Sequence, residues 1–396
     1  MPCDNLGQAA YRVVEELAVS VGPRPAGSAQ EKRAIDYLAQ ELGSSCQEVR
    51  RLAVTGLPAP FTSRVLMLAG AALLVYCVAG LIDSPADMLI YLVVFFTLPR
   101  AISQARQRAS AGSGRRSENL HATQAPAGEA QADLLLCAHL DSAAANRVPG
   151  EWWPKLQRLL LKAMLPTILV LSAAALLRWL DMRWPYAPLA VWQAARAAGL
   201  WLASTFLAFE TLYAFVSRGR TFSPGANDNA SGVGVVLALA QHFRAAPPQH
   251  LKMHYVLFTA EELGLIGSQR FVKQTDLDRQ RTYVINLDMV GSGKHLRYVR
   301  GSGLFPPRLT DRGLNALLEE ACPGIRKQYY WIGNSDFHPF LVKGFRAASL
   351  DVSGDSRAET VYHTEHDVLD HIHVSALQAT AETVARAVRL LDARQL

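Results

Sequence analysis

Two histidines and five carboxylates, far apart along the chain, carry the chemistry that this 396-residue sequence offers. "CAHLDS" supplies His139 and Asp141, "GANDNASG" Asp228, "FTAEELG" Glu261 and Glu262, "VINLDMVG" Asp288, and "VYHTEHD" His363. A pair of zinc ions about 3.5–4 Å apart asks for a bridging carboxylate, and for roughly one histidine and one further carboxylate on each ion. His139, Asp228, Glu262, Asp288 and His363 fill that set with none left over. Asp141, two residues past His139, is placed to accept the second ring proton of that imidazole and so fix its tautomer. Glu261 then remains free to move a proton. Taken singly, each residue is ordinary: an aspartate in "GANDN" caps a helix or shapes a turn, and paired glutamates ahead of a helix suit its dipole. His242, His250, His295, His371 and His373 stand in no such pattern and are read as structural histidines.

A fold able to gather the set is legible in the periodicities. "ADLLLCA", "MHYVLFTA", "TYVINLDMV" and "FRAASLDV" have strand length and composition. "NASGVGVVLALAQHFRAA", "LGLIGSQRFVKQT", "LTDRGLNALLEEAC" and "HVSALQATAETVARAVRLLD" have helical period. Near the N-terminus, "NLGQAAYRVVEELAVSVG" and "SAQEKRAIDYLAQELG" add two helices, the second with Ser28 as its expected N-cap. The alternation predicts a layered α/β/α fold around a twisted central sheet, mostly parallel or mixed. In such sheets the ligand site lies beyond the carboxyl ends of the strands, which is where these acidic and histidine residues fall.

Two apolar stretches interrupt the pattern. Charge thins out over residues 65–82, 88–99, 163–177 and 197–209, and the first of these, "VLMLAGAALLVYCVAGLI", gives eighteen uncharged residues. That is near the lower limit for crossing a bilayer. With reversals at "DSPAD" and "DMRWPYAP", the stretches predict four inserted transmembrane helices in two hairpins. The expected division is 1–63, 103–158 and 218–396 for one α/β domain, with hairpins at 64–102 and 159–217. Lysine and arginine crowd the outer flanks, as at Arg100 to Arg116, whereas the two turns hold only Arg178 and Arg183. The positive-inside rule then puts the α/β domain on the cytoplasmic side of the inner membrane. Five cysteines without pairing or metal-site spacing agree with a reducing compartment, and the acidic, helical N-terminus lacks the look of an export signal. The net charge of +6 has its densest basic run against an apolar segment, so the lipid bilayer is the expected partner and nucleic acid is not.

On these residues the sequence resembles the two-zinc aminopeptidases of metallopeptidase family 28, the group of bacterial leucyl aminopeptidases and aminopeptidase Y. "GPRPAGS", "AHLDS", "GANDNASG", "FTAEELGLIGS", "INLDMVG", "NSDFHPF" and "YHTEHD" occur in the family's order and cover nearly all of the chain outside the apolar stretches. The resemblance implies that His139 and Asp288 hold one zinc, Glu262 and His363 the other, and that Asp228 bridges them, with cobalt or manganese as possible substitutes. It makes Glu261 the general base toward a zinc-held hydroxide, Asp141 the partner of His139, and Asp228–Asn229 a cis peptide. The implied substrate is a peptide with a free amino terminus, cut at its first peptide bond. Two departures bear on the substrate pocket: His338 stands one residue later than the family's histidine, and Glu365 and His366 replace a common proline and glutamate. Alternatives on the same fold are a single-zinc acyltransferase of the glutaminyl cyclase type and a non-catalytic peptide-binding membrane protein.

Overall fold

Helical and strand periods alternate through the chain, and the computed structural model shows what they build over residues 5–58, 114–145, 221–303, 307–331 and 334–394. In chain order these form helix α1 (Leu6–Glu15), continued by a wider turn to Val21, helix α2 (Ala29–Ser45), and strands β1 (Glu48–Thr55), β2 (Arg116–Gln124) and β3 (Ala132–His139). Helix α3 (Ser231–Ala245), strand β4 (Leu251–Phe258), helix α4 (Ile266–Gln274) and strands β5 (Thr282–Leu287), β6 (His295–Ser302) and β7 (Arg308–Leu309) follow. The chain continues through helix α5 (Arg312–Ala321), strand β8 (Arg326–Tyr330), helix α6 (Phe337–Val342), strand β9 (Arg346–Ser353) and helices α7 (Ser356–Val361) and α8 (Val374–Ala393). As expected, Ser28 caps α2, its hydroxyl accepting the N–H of Glu31 at 3.0 Å.

Among the described residues the nine strands make one sheet in the order β1-β2-β4-β3-β5-β9-β6-β7, with β8 beside β6. The central four, β4, β3, β5 and β9, are parallel, and the antiparallel pairings β2 to β4 and β6 to β9 flank them. The sheet is thus mixed, with a parallel centre. Alternation along β3 divides the core: Leu134, Leu136 and Ala138 pack with α1, α2, α3, α5 and α8, while Leu135 and Cys137 pack with Phe271 of α4 and Phe337 and Phe340 of α6. Each buried leucine adds about 1.5–3 kcal/mol, so a strand buried on both faces is firmly registered. That rigidity is what the strand ends lend to the site. Helix α3 is buried on nearly every side, and a Cβ at Gly234 would collide with the Ala10 carbonyl of α1. Glycine is there so that the two helix backbones can approach.

Strands β1, β2 and β8 carry no apolar run. "EVRRLAVT" is largely exposed and sits at the sheet edge, where charged side chains are tolerated and discourage pairing with other chains. The β1–β2 pairing also shows how the first interruption is placed. Thr55 pairs with Arg116, and the N–H of Leu57 donates to the Arg115 carbonyl at 3.2 Å. The second interruption is closed in the same manner: Ala144 bridges Phe222, the N–H of Ala145 donates to Thr221 at 3.0 Å, and that of Ser223 to Ala143 at 2.9 Å. Both stretches therefore leave and re-enter through backbone that is already paired. The four apolar segments themselves lie outside the described residues, and among the described ones no helix is long and apolar enough to cross a membrane.

Candidate metal centre

His139 is the last residue of β3, Asp288 follows β5 directly, and Glu261 and Glu262 lie just beyond β4, so the parallel centre of the sheet delivers four site residues to one rim. Asp228 comes from the loop before α3 and His363 from the loop after α7. All of the expected residues meet. Asp228 turns one carboxylate oxygen to each histidine: Oδ1 lies 3.1 Å from His139 Nε2, and Oδ2 lies 3.1 Å from His363 Nε2. Asp288 Oδ1 stands 3.7 Å from His139 Nε2, and Glu262 Oε2 stands 3.3 Å from His363 Nε2. The arrangement is two half-sites sharing one carboxylate. The Asp228–Asn229 peptide is cis.

These spacings suit a cation. A tetrahedral zinc with ligands at about 2.0–2.2 Å sets neighbouring ligand atoms roughly 3.4 Å apart. The groups His139, Asp228, Asp288 and Asp228, Glu262, His363 each bring their donor atoms within 4.8 Å of one another. Glu262 Oε1 is buried with no hydrogen-bond partner among the described residues, a costly state for a carboxylate oxygen unless a cation is to meet it. The donor set therefore fits zinc.

Electrostatics point the same way. Burial opposes a charge on His139 and His363, yet the surrounding carboxylates outweigh it and raise both imidazoles well above their ordinary range. Burial likewise resists ionisation of Asp228, but hydrogen bonds from the two imidazoles win and hold its carboxyl low. Burial pushes the Glu261 carboxyl well up, with Glu262, Asp336 and Asp288 adding to the effect against His139. Burial also raises Glu262.

Asp141 acts differently from the sequence expectation in one detail. The His139 Nδ1 faces the backbone carbonyl of Asp141 at 3.2 Å, and its carboxylate is further, at 3.7 Å. That carboxylate instead accepts the backbone N–H groups of Glu261 at 3.1 Å and Glu262 at 3.2 Å. A two-residue spacing does not say whether main chain or side chain will turn to the ring. Asp141 thus holds His139 with its backbone and both glutamates with its side chain.

Other residues that the spacing arguments missed lace the loops together. Asp367, four residues after His363, accepts the N–H groups of Asn227 at 2.8 Å and Asp228 at 3.0 Å. Asn227 and Asn229 accept from Gly291 and Met289, so the loop of Asp228 is sewn to the loop of Asp288. Ser335 donates to Asp288 Oδ2 at 2.5 Å. Asn227, Asn229 and Asp367 share motifs with the expected ligands, and Ser335 stands in "NSDFHPF", which holds none of them. Ala260, Met289 and His363 itself have positive φ, a conformation costing about 1–3 kcal/mol each that persists where surrounding structure enforces it. His338 has turned away, its Nδ1 on the Ser302 hydroxyl at 3.0 Å, and Phe337 is buried in the aromatic core below the rim.

Fold and site together define an α/β protein with a carboxylate-and-imidazole cluster able to hold metal at the ends of parallel strands. Residues 213–388 match the model of peptidase family M28, a span holding Asp228, Glu261, Glu262, Asp288 and His363. Aminopeptidase YwaD of Bacillus subtilis (strain 168) is 34% identical over 178 residues, covering 42% of this chain and 38% of YwaD. The matched part is therefore well under half of that relative's length. The fold is similar to that of BSAP, a zinc aminopeptidase from Bacillus subtilis, with a TM-score of 0.57 at 17% identity over 97% of this chain and 95% of that one. It is similar to the same degree to the glutaminyl cyclase of Bacteroides thetaiotaomicron, with a TM-score of 0.56 at 15% identity over 97% of each chain.

Proposed function

We propose that this protein is a two-zinc aminopeptidase held at the cytoplasmic membrane, removing single residues from the amino terminus of peptides. The observation that carries the reading is the shared carboxylate of Asp228, one oxygen toward each histidine, with Glu261 beside it and in no ion pair with either imidazole among the described residues. His139 and Asp288 would hold one zinc and Glu262 and His363 the other, with Asp228 between them. Bound there, zinc would polarise a peptide carbonyl and ease the deprotonation of water. Glu261 supplies the proton traffic: it takes the proton from the attacking water and returns it to the departing amine. Burial raises its carboxyl, so once it has taken the proton it holds it more firmly than an exposed glutamate would. Asp141 fixes the backbone of Glu261, so the base keeps its aim. A buried ring of carboxylates also favours a substrate whose amino terminus is a free ammonium.

A panel of aminoacyl amides, their N-acetylated counterparts and peptides beginning with glutamine tests this on zinc-reconstituted protein with and without chelator. The expected result is two zinc ions per chain and chelator-sensitive release of the first residue, with acetylated substrates untouched. One zinc per chain, with cyclisation of amino-terminal glutamine, would favour the glutaminyl cyclase reading suggested by the shared fold.

Membrane attachment rests on the apolar composition of the two interruptions and on the basic residues that flank them. Replacing Val65–Pro99 and Ala163–Phe215 by short linkers is expected to move the protein from the washed membrane fraction to the supernatant. Continued recovery with membranes would count against anchoring by these segments.

A further inference from the structure

We propose that Arg24 is a positioning residue of the metal centre, its buried guanidinium holding the segments that carry His139 and Asp228 in the register at which their ligand atoms meet. The proposal rests on the reading of those residues as metal ligands. Arg24 belongs to "GPRPAGS" and is completely buried. Its Nε donates to the Leu140 carbonyl at 2.7 Å, Nη1 to Pro224 at 2.5 Å and to Leu17 at 3.4 Å, and Nη2 to Gly225 at 2.8 Å. Four of the five N–H groups of the fork thus reach backbone carbonyls. Its own backbone pairs with Ser142, the N–H on Ser142 Oγ at 3.0 Å and the carbonyl receiving the Ser142 N–H at 3.3 Å.

What those carbonyls have in common is their place in the chain. Leu140 adjoins His139, and Pro224 and Gly225 lie just ahead of Asp228, so the fork ties together the two ligand segments that the second apolar stretch separates in sequence. Gly225 has positive φ, and a Cβ there would collide with the Asp228 carbonyl, so this backbone is shaped to pass close to the ligand loop. The few bridging bonds between Ala143–Ala145 and Thr221–Ser223 keep the segments side by side. A rigid planar fork bonded to both adds a fixed distance and register.

Among the described residues Arg24 forms no ion pair, although an arginine recruited only to neutralise a carboxylate would fork onto one. It stands instead in the field of Asp367, Asp141, Asp228 and Glu31, which offset a burial that brings its pKa down to about 10. It therefore keeps its charge at neutral pH. Lysine has a point charge and a different donor geometry, and it cannot span the four acceptors.

The test is zinc affinity by chelator competition on the full chain, at a temperature where circular dichroism shows each variant folded. Arg24→Lys is expected to weaken zinc binding about 10–100-fold, the range for partners that orient metal ligands. Val388→Ala, in α8, serves as a control for general destabilisation and is expected to melt earlier with wild-type affinity. Wild-type affinity in folded Arg24→Lys overturns the proposal. Should that variant fail to fold, Ser142→Ala removes the acceptor of the Arg24 backbone N–H and is read in the same assay: several-fold weaker binding supports the role, and unchanged affinity overturns it. Wild-type protein that binds no zinc removes the metal centre and this role with it, whereas failure of the Arg24 role alone leaves wild-type binding intact.

Discussion

Glu261→Gln is expected to retain zinc and to lower kcat by about 10³-fold, within the range that a positioned general base contributes. Glutamine keeps the shape of the side chain and the backbone N–H bond to Asp141, and it loses only the capacity to accept a proton. The interaction removed exists in the transition state and not in the bound substrate, so KM should hardly move. Zinc content decides between two roles. Glu261 can also reach a donor group with His139 and Glu262, so a variant that loses metal would identify Glu261 as a ligand. A kcat within a few-fold of wild type would remove it from the mechanism altogether.

Zinc should bind more tightly as pH rises, by about tenfold per pH unit for each proton displaced. The metal-free centre holds protons where the cations would lie. Carboxylates raise His139 and His363 well above the ordinary histidine range, and burial raises Glu262. Raised imidazoles contribute stability that is complete below their unfolded value and is lost as pH climbs through the folded one. A raised carboxyl works in the same direction, because ionising it in place becomes unfavourable above its unfolded value. Asp228, held low by the imidazoles, is ionised throughout. As pH climbs past the ordinary imidazole value the metal-free protein should therefore lose melting temperature while the zinc-loaded form holds its own, and the gap between them should widen. A gap that narrows toward alkaline pH would mean that the protons and the metal do not compete for these groups.

The candidate ligands were legible in the sequence because a metal pair would demand particular side chains and a parallel sheet exposes its strand ends. His139, Glu262 and Asp288 satisfy both conditions at once, each just after an apolar run. The scaffolding around them was not legible. Strands β1, β2 and β8 are polar in sequence; pairing makes strands of β1 and β8, and β2 is buried through residues such as Asn119 and Gln124 that no apolar pattern marks. A loop asparagine such as Asn229 says nothing of which distant N–H it will accept, and Asp367 reads as one more acid in an acidic motif. The choice of Asp141 to face His139 with its main chain follows from how the rim turns, which neighbouring residue types do not encode.

The backbone pairs at Thr55–Arg116 and Ala144–Phe222 have a consequence for how this chain can change over generations. Closing a longer loop between ends already joined costs only about 0.6 kcal/mol per doubling of length. The two openings therefore behave as graft points. Whatever cassette occupies them can lengthen, shorten or be exchanged for another with little penalty to the scaffold, so lineages sharing this centre are free to carry quite different attachments at these two positions.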